Sequence, residues 1–306
     1  MPRRDFLAAT TSAAFGLALP AQARAQDPAS APPAAKGSAF RLKYAPHFGM
    51  FENHAPDPLD QLQFAADEGF TAWEDNGMAW RDPKEQERFA AKMAQCKLAM
   101  GVFVATMDWE NPSFASGRQE FADKALADMR TAVEVAKRVN AKWCTMVLGL
   151  VEPRLDFGYQ MANAIELLRR CADIAATAEL TMVLEPLNKR DHPNLFLSTV
   201  PQGFALCRAV NSPWCKILDD LYHEQANEGN LIPNLDRAWS EIGYIQIGDN
   251  PGRNEPGTGE INYRNVFRHI HEKGYTGILG MEHGKAGDGK EGERALIDAY
   301  RHADSW

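Results

Sequence analysis

Met182-Val183-Leu184-Glu185-Pro186-Leu187-Asn188 is the stretch on which the fold turns. An apolar run with no polar interruption leads straight into a carboxylate. A strand covered on one face alternates apolar and polar residues, whereas a strand of a parallel sheet buried on both faces reads as a continuous apolar run. Seven more segments are candidate strands, most of them short and continuously apolar: Arg41–Ala45, Ala72–Glu74, Gly101–Ala105, Trp143–Leu148, Lys216–Leu221, Tyr244–Ile247 and Gly277–Met281. Their ends recur at intervals of about 30 to 40 residues, the length of one strand-plus-helix unit.

Helices are predicted between them. Asp57-Pro58 and Asp82-Pro83 pair an N-cap acid with a proline at the first helical position. Arg118 to Val139 and Tyr159 to Ala178 are long amphipathic stretches, and Thr199-Val200-Pro201 opens a short helix. Leu231–Trp239, Tyr263–Lys273 and Gly292–Tyr300 complete the set, and Gly69, Gly243 and Gly274 sit where helix hands over to strand. Eight strands alternating with helices imply a parallel α/β sheet. An open doubly wound sheet usually carries a glycine-rich phosphate loop after its first strand; here that strand runs into His47-Phe48-Gly49-Met50-Phe51. The expectation is a (β/α)8 TIM barrel in a single domain over residues 40–306.

Residues 1–25 read as a signal peptide. Arg3-Arg4-Asp5-Phe6-Leu7 precedes a small, apolar run to about Leu19, and Ala23-Arg24-Ala25 offers a cleavage site. The paired arginines resemble a twin-arginine export signal, which implies a periplasmic or otherwise exported protein. Residues 26–39, rich in Pro, Ala and Ser, read as a linker. The 306 residues carry a formal charge of −8, against the clustered Lys and Arg that nucleic acid needs. Beyond the signal, no run reaches the roughly 18 apolar residues of a membrane span. Five scattered cysteines form no disulfide framework and read as small buried hydrophobes. Trp80, Trp109 and Trp239, expected in exposed loops or helices, are compatible with a homo-oligomer.

Active sites of such barrels lie at the C-terminal ends of the strands. Glu74, Glu185, Asp219 or Asp220, Gln246 and Glu282 all end or follow apolar strands, where an unpartnered charge is costly. Carboxylates and an amide oxygen from strands five to eight make a hard, oxygen-rich set suited to one divalent metal, Mg²⁺ or Mn²⁺. Such a cation chelates the oxygens of an α-hydroxy carbonyl compound and stabilises an enediolate, while Glu185 and Glu282 remove and return the proton. His223 could polarise a substrate oxygen or sit in a solvent-facing loop. Arg253, in the turn-rich Asp249–Tyr263 loop, could hold a substrate carboxylate or pair with Glu255 or Glu260.

The blocks Glu185-Pro186-Leu187-Asn188-Lys189-Arg190-Asp191, Asp220-Leu221-Tyr222-His223, Gln246 with the Asn250–Tyr263 loop, and Glu282 resemble the hydroxypyruvate isomerase family of the xylose isomerase-like superfamily. The resemblance spans Phe40 to the C-terminus. It implies a metal held by Glu185, Asp220, Gln246 and Glu282, with Glu185 and Glu282 as the acid/base pair, and it selects Asp220 over Asp219. Asp219 then faces the helices by strand alternation. His47, Glu74, Asn188, His223 and Arg253 are expected to line the substrate. The implied reaction interconverts hydroxypyruvate and tartronate semialdehyde, or a close hydroxy-keto acid. Departures after the first and second strands, and the export signal, keep open an epimerase or lyase for a periplasmic keto-sugar or sugar acid. A non-catalytic sugar-binding protein is the reading from another class.

Overall fold

The structure is a computed structural model and describes residues 39–306. The expected signal peptide, and the linker up to Ser38, lie outside the described residues.

Among the described residues are nine strands, all paired in parallel, and nine α-helices, in mostly alternating order. The first strands are β1 (Lys43–Ala45), β2 (Ala72–Trp73), β3 (Ala99–Met100) and β4 (Val104–Thr106). Then come β5 (Trp143–Met146), β6 (Thr181–Leu184), β7 (Cys215–Asp220), β8 (Ile242–Gln246) and β9 (Ile278–Gly280). Seven pair in the order β1-β9-β8-β7-β6-β5-β4, and β2 pairs with β3. First and last strands pair in parallel, Tyr44 opposite Leu279. The remaining gap is stitched by backbone bonds from Glu74 N to Pro46 O, Gly101 N to Trp73 O, Val104 N to Asn76 O and Thr145 N to Phe103 O. The ring is therefore closed, as a (β/α)8 barrel requires.

The third barrel strand was expected as one run over Gly101–Ala105 and is instead split into β3 and β4. Gly101 passes the Tyr244 hydroxyl so closely that a Cβ there would lie 2.5 Å from it. Gly243 also differs from expectation: it lies inside β8, where a Cβ would meet Lys216 Cβ at 2.7 Å. Gly69 and Gly274 do follow helices at positive φ, the conformation that favours glycine.

The helices are α1 (Pro58–Asp67), α2 (Pro83–Cys96), α3 (Gln119–Val139), α4 (Phe157–Ala176), α5 (Val200–Val210), α6 (Leu221–Asn227), α7 (Leu231–Ala238), α8 (Tyr263–Glu272) and α9 (Gly289–Ala303). Asp57 caps Leu59 N and Asp82 caps Lys84 N and Glu85 N. α6 was not anticipated. It begins directly on β7, capped by Asp220 through Tyr222 N, too short to show an amphipathic period. One apolar layer, including Ala45, Ala72, Val102, Val183, Leu218 and Ile278, plugs the barrel, and a larger one joins strands to helices. Cys144, Cys171, Cys207 and Cys215 are buried and free, as expected of small hydrophobes. Trp80 and Trp109 are exposed, whereas Trp239 packs on the core beneath the Lys273 ammonium. Among the described residues no helix is long and apolar enough to cross a membrane.

Candidate active site

The barrel brings the acids of the sixth, seventh and ninth strands to one point. Glu185 follows β6, Asp220 ends β7 and caps α6, and Glu282 follows β9. One side-chain atom from each, together with one from His223, lies within 4.8 Å of the others. Three carboxylates this close repel one another. Burial, and then Glu282 and Asp220, hold the Glu185 carboxyl well above the usual range. Burial also raises Glu282, to about 7, although Arg253 pulls the other way.

The cation that balances them is Arg253. Its Nη2 lies 3.0 Å from Asp220 Oδ2 and 2.8 Å from Glu282 Oε2, its Nε donates to the Glu282 carbonyl, and its guanidinium covers the Tyr222 ring. The alternative pairing with Glu255 or Glu260 does not occur: Glu255 accepts from Ala286 N, and Glu260 from Gln225.

His223 is 1% exposed on α6, so the solvent-facing alternative is excluded. The Asn188 carbonyl oxygen accepts from Arg190 N and Asp191 N, which turns its amide nitrogen toward Asp191 Oδ2 and His223 Nδ1, 2.7 Å away. A ring nitrogen that accepts carries no proton, and burial drops the imidazole to about 4. Its one proton therefore sits on Nε2, 3.5 Å from Asp220 Oδ2 and 3.9 Å from Glu185 Oε1. A protonated Nε2 has no lone pair for a metal; it is buried beside the acids with no hydrogen-bond partner, a donor available to a substrate.

Gln246 supplies the missing oxygen. Its Nε2 donates to Glu74 Oε1 at 2.8 Å, and its Oε1 is buried with no partner. Three carboxylates short of positive charge plus an orphaned amide oxygen fit a hard divalent cation, the donor set expected from the sequence. Glu74 itself is buried against Tyr244 and Gln246, and burial with the nearby Glu282 raises it to about 8. His47 bonds to the Phe48 and His283 carbonyls and lines a depression with Phe48, Glu74, Asp75, Asn76, Arg81 and Glu282. Asn188, expected at the substrate, has its side chain engaged by its own loop and His223.

Asn76 was missed. Its Nδ2 donates to Glu282 Oε1 at 2.8 Å. It lies in the turn beyond β2, where strand alternation does not reach, so the sequence carried no periodic signal for it. Asp219 turns away from the site toward Glu224 on α6, as alternation predicted.

Residues 62–304 match the family described as xylose isomerase-like TIM barrel. A 2-oxo-tetronate isomerase of Cupriavidus necator is 33% identical over 242 residues, 76% of this chain and 89% of that protein. A hydroxypyruvate isomerase of Escherichia coli is 32% identical, covering 60% of this chain and 69% of its own length. Among solved structures, one titled AP endonuclease, family 2, from Brucella melitensis superposes with a TM-score of 0.71 at 26% identity, covering 82% of this chain and 96% of that one. The chain belongs to the xylose isomerase-like TIM barrel family.

Proposed function

We propose that this isomerase interconverts a small 2-keto-3-hydroxy acid and its 2-hydroxy-3-oxo tautomer, with hydroxypyruvate and tartronate semialdehyde as the simplest pair. The reading depends on one divalent cation at Glu185, Asp220, Gln246 and Glu282. The observation that carries it is the cluster of Glu185, Asp220 and Glu282 carboxylates, with Gln246 on the strand between β7 and β9 and its amide oxygen buried without a partner. The names of the two relatives agree in chemistry, since both act on short hydroxy-keto acids.

A bound cation would polarise the substrate carbonyl and acidify the neighbouring C–H. Arg253 pairs with the substrate carboxylate bidentately and sets which carbon faces the glutamates. One glutamate takes the proton from C3 of hydroxypyruvate, leaving an enediolate. The hydroxyl proton passes from O3 to O2, and the other glutamate delivers a proton to C2, giving the aldehyde with no net change in atoms or electrons. His223 Nε2–H donates to the substrate oxygen that gains charge. Burial at the barrel mouth limits loss of the proton to water.

The test is incubation of the protein with Mn²⁺ and hydroxypyruvate in D2O, followed by NMR. Turnover with deuterium uptake is expected, abolished in Glu185→Gln and Glu282→Gln. An inert wild type that nonetheless binds Mn²⁺ rejects the substrate. We further propose that the chain is exported through its Arg3-Arg4 segment. Retention of an Arg3→Lys/Arg4→Lys variant in the cytoplasm is the expected outcome, and unchanged export rejects it.

A further inference from the structure

Resting on the metal reading above, we propose that Glu74 is a positioning residue that orients the Gln246 amide, so that its oxygen rather than its nitrogen meets the cation. An amide is nearly the same shape either way round, but only its oxygen has a lone pair for a metal. A half-turn of Gln246 would therefore replace a ligand by a repelling N–H pair. Nothing on Gln246 itself prevents that turn.

Glu74 does. Its Oε1 accepts from Gln246 Nε2 at 2.8 Å, a place that only the amide nitrogen can fill once the acid is ionised beside a cation, and Gln246 Oε1 is left buried without a partner. Glu74 is in turn held at its other oxygen by the Tyr244 hydroxyl at 2.8 Å, and its backbone N bonds Pro46 O. The three side chains reach one another only because Gly280, at the end of β9, and Gly101, just past β3, lack a Cβ. A Cβ on Gly280 would lie 1.9 Å from Glu74 Oε2 and 3.0 Å from Gln246 Cγ, and one on Gly101 would lie 2.5 Å from the Tyr244 hydroxyl. Backbone at the end of β9 and just past β3 is thus opened for a single carboxyl–amide–phenol cluster. Partners of this kind, one step behind the ligand, commonly shift metal affinity by about 10–100-fold.

The consequence is a neutral fourth ligand locked by an acid that does not itself coordinate. Full-length wild type, Glu74→Met, Glu74→Gln, Gln246→Ala and the double variant Glu74→Met/Gln246→Ala would be titrated with Mn²⁺ alone by electron paramagnetic resonance, without substrate. Folding would be checked by circular dichroism. Glu74→Met keeps the volume and removes the acceptor; its affinity is expected to fall about 10–100-fold, as in Gln246→Ala. The double variant is expected to bind no more weakly than Gln246→Ala, because Glu74 acts only through Gln246. Glu74→Gln folds without a cavity, retains an acceptor for Gln246 Nε2, and is expected to stay close to wild type. Additive losses in the double variant, a Glu74→Met that binds as wild type, or a Glu74→Gln as weak as Glu74→Met would each overturn the proposal. Glu185→Gln and Asp220→Asn run alongside. If they too bind Mn²⁺ like wild type, the metal reading fails as well.

Discussion

Asn188 donates to Nδ1 of His223 from its side-chain Nδ2 at 2.7 Å and from its backbone N at 3.4 Å, and these contacts decide which imidazole nitrogen carries the proton. Asn188 cannot turn the other way, because its oxygen already accepts from Arg190 N and Asp191 N. The lock is therefore built from the loop after β6, on a residue that the site uses only through its neighbour.

Asn188→Asp should reverse the lock. A carboxylate accepts from an Nδ1–H and places the proton there, leaving a lone pair at Nε2 beside Asp220 and Glu185. Wrong-tautomer histidines elsewhere cost up to about 10⁴ in kcat; about 10² is expected here, with little change in KM. Nitrogen NMR of the ring reads the tautomer directly. A variant with its proton still on Nε2 and normal kcat would reject the argument.

Arg253 and a divalent cation compete for Asp220 Oδ2 and Glu282 Oε2. Arg253→Met should therefore bind Mn²⁺ more tightly while losing its hold on a substrate carboxylate. A charge-assisted bidentate pair contributes about 1.5–3 kcal/mol, so kcat/KM should fall by roughly 10–100-fold. The two measurements moving in opposite directions is the diagnostic. Parallel loss of both would place Arg253 in a purely structural role.

Proton and metal also compete. Glu282 titrates at about 7 and Glu185 is raised above its usual range, so below those values the metal-free site holds protons. Coordination requires the ionised acids, hence Mn²⁺ affinity should climb as pH rises through about 7 and level off above. The slope should approach about tenfold per pH unit for each proton displaced. Titrations from pH 5.5 to 8.5 would show it; affinity independent of pH would contradict the raised values.

Away from the site, Glu224 is held at about 10 by burial and by Asp219, itself raised to about 7. A raised folded value means stability that is fully present below the unfolded value and is lost as pH rises toward the folded one. Between about pH 5 and 9 the folded state must keep a proton that the unfolded state releases. Glu224→Gln supplies a permanent N–H donor toward Asp219 and escapes that dependence. It should be neutral near pH 5 and more stable than wild type by on the order of 1 kcal/mol or more at pH 8.5. Chemical denaturation at the two pH values decides it, and equal differences at both would refute the shared-proton account.

Residues and spacing alone determined the closed barrel and most of its elements, because a strand buried on two faces must be apolar and a helix N-terminus must be capped. The same logic singled out Glu185, Gln246 and Glu282, since a polar residue at the end of an apolar strand has no cheap structural explanation. At the seventh strand the sequence left Asp219 and Asp220 open until the family resemblance chose between them. The third strand was legible only as one run. Its break at Gly101 answers to Tyr244, a residue 143 positions away that crosses the barrel interior. α6 was invisible because seven residues capped by a site acid carry no period. Tertiary structure alone decided the partners: Arg253 on Asp220 and Glu282 rather than on Glu255, Asn188 behind His223, Glu74 behind Gln246. Local pattern records whether a side chain prefers burial. Which donor meets which acceptor depends on distances across strands far apart in the chain, and these exist only once the barrel has closed.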